Sequence, residues 1–379
     1  MAGNGNGKAP VLVVVQLTGG NDFMNTLIPY TSSIYHDARP TVGIPQEQVL
    51  HMDDELGFHP AFGPVKELFE DGRVAIVQGI GYPDSSRSHF RGMDIWHTCE
   101  PVNVGTEGWA GRAIRDLDPG QENVLTGVNF GKGLPRAMVV PGVPVTSVGD
   151  LDSYGLMTGI SDKARRDRTL KLFKDMYAPA VGTGTVMDYL DHTGTDVLKG
   201  AEVLKQAPAM YSSEVEYADN PIAKSLKDAA RVHLAGLGTR IFYVTHGGYD
   251  HHANENKSLP KLLGELSGSI MDFFQDLRDH EASEEVVMLV FTEFGRRMRD
   301  NGSGTDHGSG GGAFIFGDRV KGGLYAEYPS IEPSQWLNGE DLRHTIDFRG
   351  IYATVLEQWM GLDAKPIVDG TFEQISPFK

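Results

Sequence analysis

The chain has 379 residues, 40% of them hydrophobic, with 34 Lys and Arg against 51 Asp and Glu for a formal charge of −17. That is length enough for one large α/β domain or two smaller ones. The acidic balance, with no Lys/Arg run to neutralise phosphates, argues against nucleic acid as a partner; it leaves anionic small substrates open, because a bound cation sets its own local field. Cys99 is the single cysteine, so an internal disulfide and a thiolate metal cluster are both excluded. It follows Trp96-His97-Thr98 without an activating motif and reads as a buried structural thiol. No stretch approaches the ~20 apolar residues that span a bilayer. Met1 to Pro10 carries neither a twin-arginine pair nor a hydrophobic signal core. As it stands the chain reads as cytoplasmic, or as periplasmic or secreted if an export signal has been trimmed from it.

Val11-Leu-Val-Val-Val-Gln-Leu17 predicts a strand buried on both faces, ending in Thr18-Gly-Gly-Asn-Asp22. A helical pattern from Pro64 to Asp71 leads to a second buried strand, Val74 to Gln78, and a helix starts near Ser88 and runs to Thr98. Asn123 to Phe130 and Ala137 to Val140 predict short strands in a glycine- and proline-rich stretch. From Asp162 to Leu237 the pattern is helical, with a basic amphipathic segment over Lys163 to Tyr177 and an alanine-rich one over Ile222 to Leu237. Then follow a strand at Arg240 to Thr245, a long helix at Leu259 to His280, strands at Val286 to Thr292 and Gly312 to Gly317, and a helix at Phe348 to Met360. Strands alternating with helices predict an α/β fold, a mostly parallel sheet covered by helices on both faces. Residues 1–10 read as a flexible N-terminus and 11–379 as a single domain, with the loop Leu151 to Asp162 the weakest candidate boundary.

Ligands of open α/β sheets bind beyond the carboxyl ends of the strands, and Asp22, Asp250, Glu293 and His307 all fall there. The run Val244-Thr-His-Gly-Gly-Tyr-Asp-His-His252 releases His246, Asp250, His251 and His252 from one strand end. Imidazoles with a carboxylate suit a borderline divalent metal. Asp250 and His252 share the turn and can both reach the crevice, His246 reads as an orienting partner, and His251 is expected to face away from His252. Asp22 follows two glycines that allow close backbone approach to an ion, although Asn21-Asp22 could equally cap the next helix. Glu293 closes a strand too apolar to bury an unpaired carboxylate; metal ligation and an ion pair to Arg296 both answer that need. In Thr305-Asp-His-Gly308 the ligand is expected to be His307, with Asp306 orienting it or binding a neighbouring ion.

Ser88 lies where a helix begins, a place where the helix dipole and free N–H groups favour anions. Beside a metal its hydroxyl could attack phosphorus or sulfur, with Arg87 and His89 stabilising the transferring group and Arg296 gripping it; as the bland alternative it is an N-cap serine.

These residues sit in a wider series of motifs. Leu17-Thr-Gly-Gly-Asn-Asp22 with Asn25-Thr26 and Pro29-Tyr30, Tyr35 with Arg39-Pro40, Leu56-Gly-Phe-His59-Pro60, Arg87-Ser-His-Phe90, Gly108-Trp-Ala-Gly-Arg112, Gly247-Gly-Tyr-Asp-His-His252, Thr292-Glu-Phe-Gly-Arg296, Asp306-His-Gly308 and Asp347-Phe-Arg349 run through the chain in order. The series resembles a bacterial family of unknown function, number 1501, grouped with the alkaline phosphatase, sulfatase and phosphoglycerate mutase superfamily. The resemblance implies a three-layer α/β/α sandwich with metals and a nucleophile at the strand ends. On this chain it implies Asp22, Asp250, His252, Glu293 and His307 as metal ligands and Ser88 as nucleophile. Phe294 follows Glu293 where superfamily members usually carry histidine, and no sulfatase-type Cys/Ser-x-Pro-x-Arg sequence surrounds Ser88, which disfavours a formylglycine-dependent sulfatase.

The expectation is a metal-dependent hydrolase of phosphate or sulfate esters, taking an anionic small-molecule substrate and one or two divalent ions, zinc or manganese rather than calcium. His59 and His89 are expected to line its pocket. The alternative is a metal-binding, non-catalytic binding or assembly protein with a degenerate second site, and an intramolecular phosphomutase is a third reading. Fold alone does not choose among them.

Overall fold

Strand β1 (Val11–Thr18) sends its side chains alternately into two hydrophobic layers, and the rest of the fold follows from that alternation. In the computed structural model, which describes residues 8–152 and 203–379 with positions 160, 162, 164, 165, 168, 169, 171, 172, 175 and 200 between them, β1 lies within the central sheet. It pairs in parallel with β5 (Ile241–Gly247) on one side and β6 (Val286–Thr292) on the other. With β2 (Val74–Gly81), β3 (Gly127–Phe130), β4 (Thr146–Val148), β9 (Gly311–Phe316) and β10 (Gly323–Tyr325), the order across the sheet is β10-β2-β9-β6-β1-β5-β3-β4. Strand β9 is antiparallel to both neighbours, and the other pairings along this order are parallel.

Val11, Val13, Val15 and Leu17 pack on one layer with the helices α1 (Gly63–Glu70), α4 (Pro221–Leu234) and α5 (Glu255–Asp279). Leu12 and Val14 face the other, formed by α2 (His89–Thr98), α3 (Trp109–Leu117) and α6 (Phe348–Thr354). The architecture is the expected α/β/α sandwich with a mostly parallel sheet. Among the described residues no helix is long and apolar enough to cross a membrane.

Two local expectations are corrected. Ala137 to Val140 forms a 3-10 turn, Arg136–Met138, instead of a strand, and the edge strand is Thr146–Val148. Pro135 and Pro141 bracket that segment and supply no N–H to a ladder, while Ala137, Met138 and Val140 are buried. Residues Arg296–Asp300 (β7) and Thr305–His307 (β8) form an antiparallel hairpin where no element was expected. Asn301-Gly302 makes its turn: the Asn301 side-chain oxygen accepts from the N–H groups of Ser303 (3.1 Å) and Gly304 (3.0 Å). The helix expected over Lys163 to Tyr177 and the loop Leu151 to Asp162 lie, apart from isolated positions, outside the described residues. Cys99 is buried at the end of α2, and burial pushes its thiol up to about 12, which suits a structural residue.

Candidate metal centre

Leu17 of β1 is level with His246 of β5 and Thr292 of β6, so three chains leave the sheet side by side. Gly19 makes their meeting sterically feasible. Its φ is +123°, and a Cβ there would lie 2.3 Å from the backbone nitrogen of Asp250. Its N–H donates to Glu293 Oε1 at 2.9 Å, tying the first strand end to the third.

Over this junction Asp250, His252 and His307 form a tight triangle. His307 Nε2 and His252 Nε2 lie 3.0 and 3.2 Å from Asp250 Oδ1 and 2.8 Å from each other. His89, the first residue of α2, places Nε2 3.3 Å from the second oxygen of Asp250. Ligating atoms of His89, Asp250 and His307 all lie within 4.8 Å of one another.

Every imidazole is held from behind. His89 Nδ1 is 2.9 Å from Glu293 Oε1, His252 Nδ1 is 3.0 Å from Asp306 Oδ1, and His307 Nδ1 is 2.7 Å from the Arg87 carbonyl. A carbonyl or carboxylate only accepts, so each Nδ1 carries the hydrogen, and His252 and His307, when unprotonated at Nε2, turn a lone pair inward. His252 and His307 then face each other lone pair to lone pair at 2.8 Å, an arrangement that a shared cation relieves. The donor set, nitrogen-rich with one carboxylate and held by outer hydrogen bonds, fits zinc or manganese better than calcium.

Asp250 is the pivot. Burial alone would raise its carboxyl, but the Arg296 guanidinium that donates to it and the imidazoles of His307 and His89 beside it hold it well below the usual carboxylate range. The hydrogen bond to Glu293, against a smaller opposing effect of burial, raises His89.

Several expected roles are redistributed. Arg296 does not reach out for an anion. It is fully buried, and its guanidinium donates to the carbonyls of Gly19, Gly20, Tyr249 and Thr305 and to Asp250 Oδ1 (2.9 Å), leaving it no free face. Glu293 stands behind His89 instead of beside Asp250; it accepts from Gly19 N–H and Thr292 Oγ1 (3.0 Å) and orients the ring. His246 lies off the cluster, with Nδ1 3.0 Å from the Tyr249 hydroxyl and Nε2 3.5 Å from Glu265 of α5. His251 is buried, while His252 is exposed at the rim.

Asp22 is outside the His89/Asp250/His307 group. Its carboxylate caps a short turn through Met24 N–H (3.1 Å) and Asn25 N–H (3.3 Å) and forms a buried ion pair with Arg39. Burial would raise the Asp22 carboxyl, yet the Arg39 guanidinium brings it below its ordinary value. Glu255 sits against this pair, accepting from Asn25 Nδ2 (2.9 Å) and Thr305 Oγ1 (2.9 Å). Burial and the Asp22 charge push it from 4.5 up to about 9, which favours a proton on Glu255. A carboxyl raised on folding contributes stability below its unfolded value and loses it as pH climbs through the folded one. Glu255→Gln stays neutral without taking up that proton. Its melting temperature is therefore expected to gain on the parent across the window from 4.5 to about 9, by on the order of 5 °C at the alkaline end. A difference that does not change with pH in thermal melts would mean that Glu255 is ionised.

His59 lies near Asp22 and lines a separate cavity of about 690 Å³ with Asn25 and Glu255; its Nδ1 accepts from Ala61 N–H, and burial lowers it to about 4. Ser88 is the N-cap of α2, exposed, with no side-chain capping bond. Arg87 is half-exposed, its nearest carboxylate being Asp341 at 3.9 Å. Phe294 packs its ring against His89 and His307, centroids 5.0 and 4.8 Å apart.

Residues 186–371, just under half of the chain, match the model of a family described as a protein of unknown function (DUF1501). This is the family that the motifs resemble. The DUF1501 match covers Asp250, His252, Glu293 and His307, while Ser88 and His89 precede it. Among solved structures, a protein in the alkaline phosphatase superfamily from Vibrio parahaemolyticus is 10% identical, over 96% of this chain and 69% of that one, with a TM-score of 0.44. A putative sulfatase from Bacteroides thetaiotaomicron is 10% identical, over 98% and 76%, with a TM-score of 0.42. The PsFucS1 sulfatase from Pseudoalteromonas sp. is 11% identical, over 98% and 71%, also at 0.42. No curated protein sequence matches the chain.

Proposed function

We propose that the protein is a metal-dependent hydrolase of phosphate or sulfate esters. The observation that carries this reading is the pair of facing Nε2 atoms of His252 and His307, 2.8 Å apart with both Nδ1 positions tied to acceptors. Asp250, His252 and His307 would hold the ion. The ion supplies positive charge for the transferring group and makes a neighbouring hydroxyl easier to ionise.

The remaining work falls to the chain's own groups. Ser88 lies between Arg87, whose carbonyl holds His307, and His89, whose ring belongs to the cluster. Its hydroxyl does not cap the helix and is exposed. It attacks phosphorus or sulfur, the alcohol departs with a proton, and water then cleaves the ester formed on Ser88. Arg87 and His89 bind the peripheral oxygens of the transferring group.

The test is turnover of para-nitrophenyl phosphate and para-nitrophenyl sulfate by protein loaded with zinc or manganese. Ser88→Ala is expected to lower kcat by on the order of 10³ while keeping its metal content. Unchanged turnover in that variant removes the serine from the mechanism.

Phe294 favours a second reading, because its ring fills the flank of His89 and His307 where another ion's ligand was expected. A single bound ion with no turnover of either ester would make the protein a non-catalytic metal-binding or assembly module.

A further inference from the structure

None of His89, Asp250, His252 and His307 lines the cavity of about 690 Å³ beside His59. Its buried lining, Asn25, Val42, His59, Glu255 and Leu259, comes from four separate stretches of the chain. One wall, the loop from Pro40 to Pro45, is pinned in place. Asp300 of β7 accepts from the N–H groups of Thr41 (2.7 Å) and Val42 (3.1 Å), and Asn256 Nδ2 donates to the Thr41 carbonyl at 2.7 Å. The Tyr35 hydroxyl accepts from Ile44 N–H at 2.9 Å. Prolines at both ends of the loop restrict its backbone further, so the cavity is preformed.

The polar side chains of the buried lining are engaged with one another, with one exception. Asn25 Nδ2 donates to Val42 O (3.0 Å) and Glu255 Oε1 (2.9 Å), and its Oδ1 accepts from Tyr35 at 2.7 Å. The second oxygen of Glu255 accepts from Thr305. His59 is the exception. It is 2% exposed, and its Nδ1 accepts from Ala61 N–H at 3.0 Å, so the hydrogen of the neutral ring is on Nε2. Burial favours that neutral form, lowering the ring to about 4. Its Nε2 has no hydrogen-bond partner among the described residues. A buried donor without an acceptor costs free energy that a ligand oxygen would recover.

Charge narrows the class of ligand. Among the described residues no Lys or Arg lines the cavity, so an anion finds no counter-charge there. A cation would meet the His59 N–H, and both Glu255 oxygens already accept hydrogen bonds. Val42, Ile44, Leu259 and the prolines 40, 45, 60 and 260 supply apolar walls.

We propose that this cavity is a second binding site, for a small uncharged molecule with an apolar body and a carbonyl oxygen that accepts the His59 Nε2–H hydrogen bond. Such binding requires neither the metal cluster nor ester hydrolysis.

The probes are acetophenone and α-methylstyrene, near-isosteres that carry a carbonyl oxygen or a methylene at the same place. Dissociation constants are read by ligand-observed NMR titration of the zinc-loaded protein. His59→Phe is expected to weaken acetophenone roughly fivefold relative to α-methylstyrene, the loss of one neutral hydrogen bond. Thr41→Trp substitutes an exposed rim residue whose bonds here are made by its backbone, and it is expected to weaken both probes. Equal effects of His59→Phe on the two probes, tighter wild-type binding of benzoate or benzylammonium, or no saturable binding of acetophenone overturns the assignment. Acetophenone bound undiminished by Thr41→Trp overturns it as well, which keeps the test decisive if His59→Phe fails to fold. Metal-stripped protein is expected to bind acetophenone as the loaded protein does. Binding lost with the metal would put the carbonyl on the cluster and remove the second site.

Discussion

Alanine at both Asp250 and His307 is expected to take bound zinc or manganese from about one equivalent per chain to below about a tenth, with the fold intact. Each substitution removes a donor from the triangle with edges of 2.8, 3.0 and 3.2 Å, leaving His252 as its only member. Asp250 is about half-exposed and His307 lies at the rim of the sheet, outside the hydrophobic clusters, so the melting temperature is expected to move little once both samples are stripped of metal. Arg296 loses one acceptor but keeps four carbonyls. Elemental analysis of unchelated protein beside circular dichroism reads both quantities. Metal retained by the variant, or missing from the wild type even after it is added back, would sink the metal centre and the hydrolase with it. Glu293→Gln is a softer probe: it leaves every ligand in place and perturbs the acceptor that His89 shares with Gly19 N–H and Thr292 Oγ1.

Arg39→Met is expected to destabilise the protein by about 3–5 kcal/mol, the cost of leaving a buried carboxylate without its partner. Arg39 is fully buried and holds Asp22, the Met298 carbonyl at 3.0 Å and the Arg297 carbonyl at 2.8 Å. Once it is gone, Asp22 faces Glu255 with no cation between them. Because Arg39 is what holds the Asp22 carboxyl below its ordinary value, the deficit is expected to shrink at acid pH, where Asp22 takes a proton. Adding Asp22→Asn to the variant is expected to recover part of the loss, a coupling that a double-mutant cycle measures. Denaturant melts showing no change in Arg39→Met would refute the buried pair. The same cluster separates two assignments of Asp22. If it pairs with Arg39, Asp22→Asn lowers stability and leaves metal content alone; if it is a ligand, metal content falls.

The elements most legible in the sequence are those whose partners are their own neighbours. Val11 to Leu17 reads as a doubly buried strand because burial on both faces demands an unbroken apolar run, and β5 and β6 read the same way. The Asn301-Gly302 hairpin signal was also present in the chain but was masked by the glycines around it, and Ala137 to Val140 imitated a strand in composition while its flanking prolines denied it a ladder.

By itself the sequence determined which residue types arrive at the carboxyl edge of the sheet. Strand ends and glycine turns are local features, so Asp250, His252 and His307 could be named from them; Asp306, expected behind His307, instead lies 3.0 Å from His252 Nδ1, and the Arg87 carbonyl takes its place behind His307. Tertiary structure alone decided which of the nearby carboxylates and cations face the Asp250, His252 and His307 triangle. Asp22 and Arg39 are 17 residues apart in the chain, Asp250 and Arg296 are 46, and His89 and Glu293 are 204. A buried charge must find a counter-charge or hydrogen bonds wherever packing brings one within reach. That requirement turns Asp22 and Arg296 inward and sets Glu293 behind His89, and no local pattern encodes it.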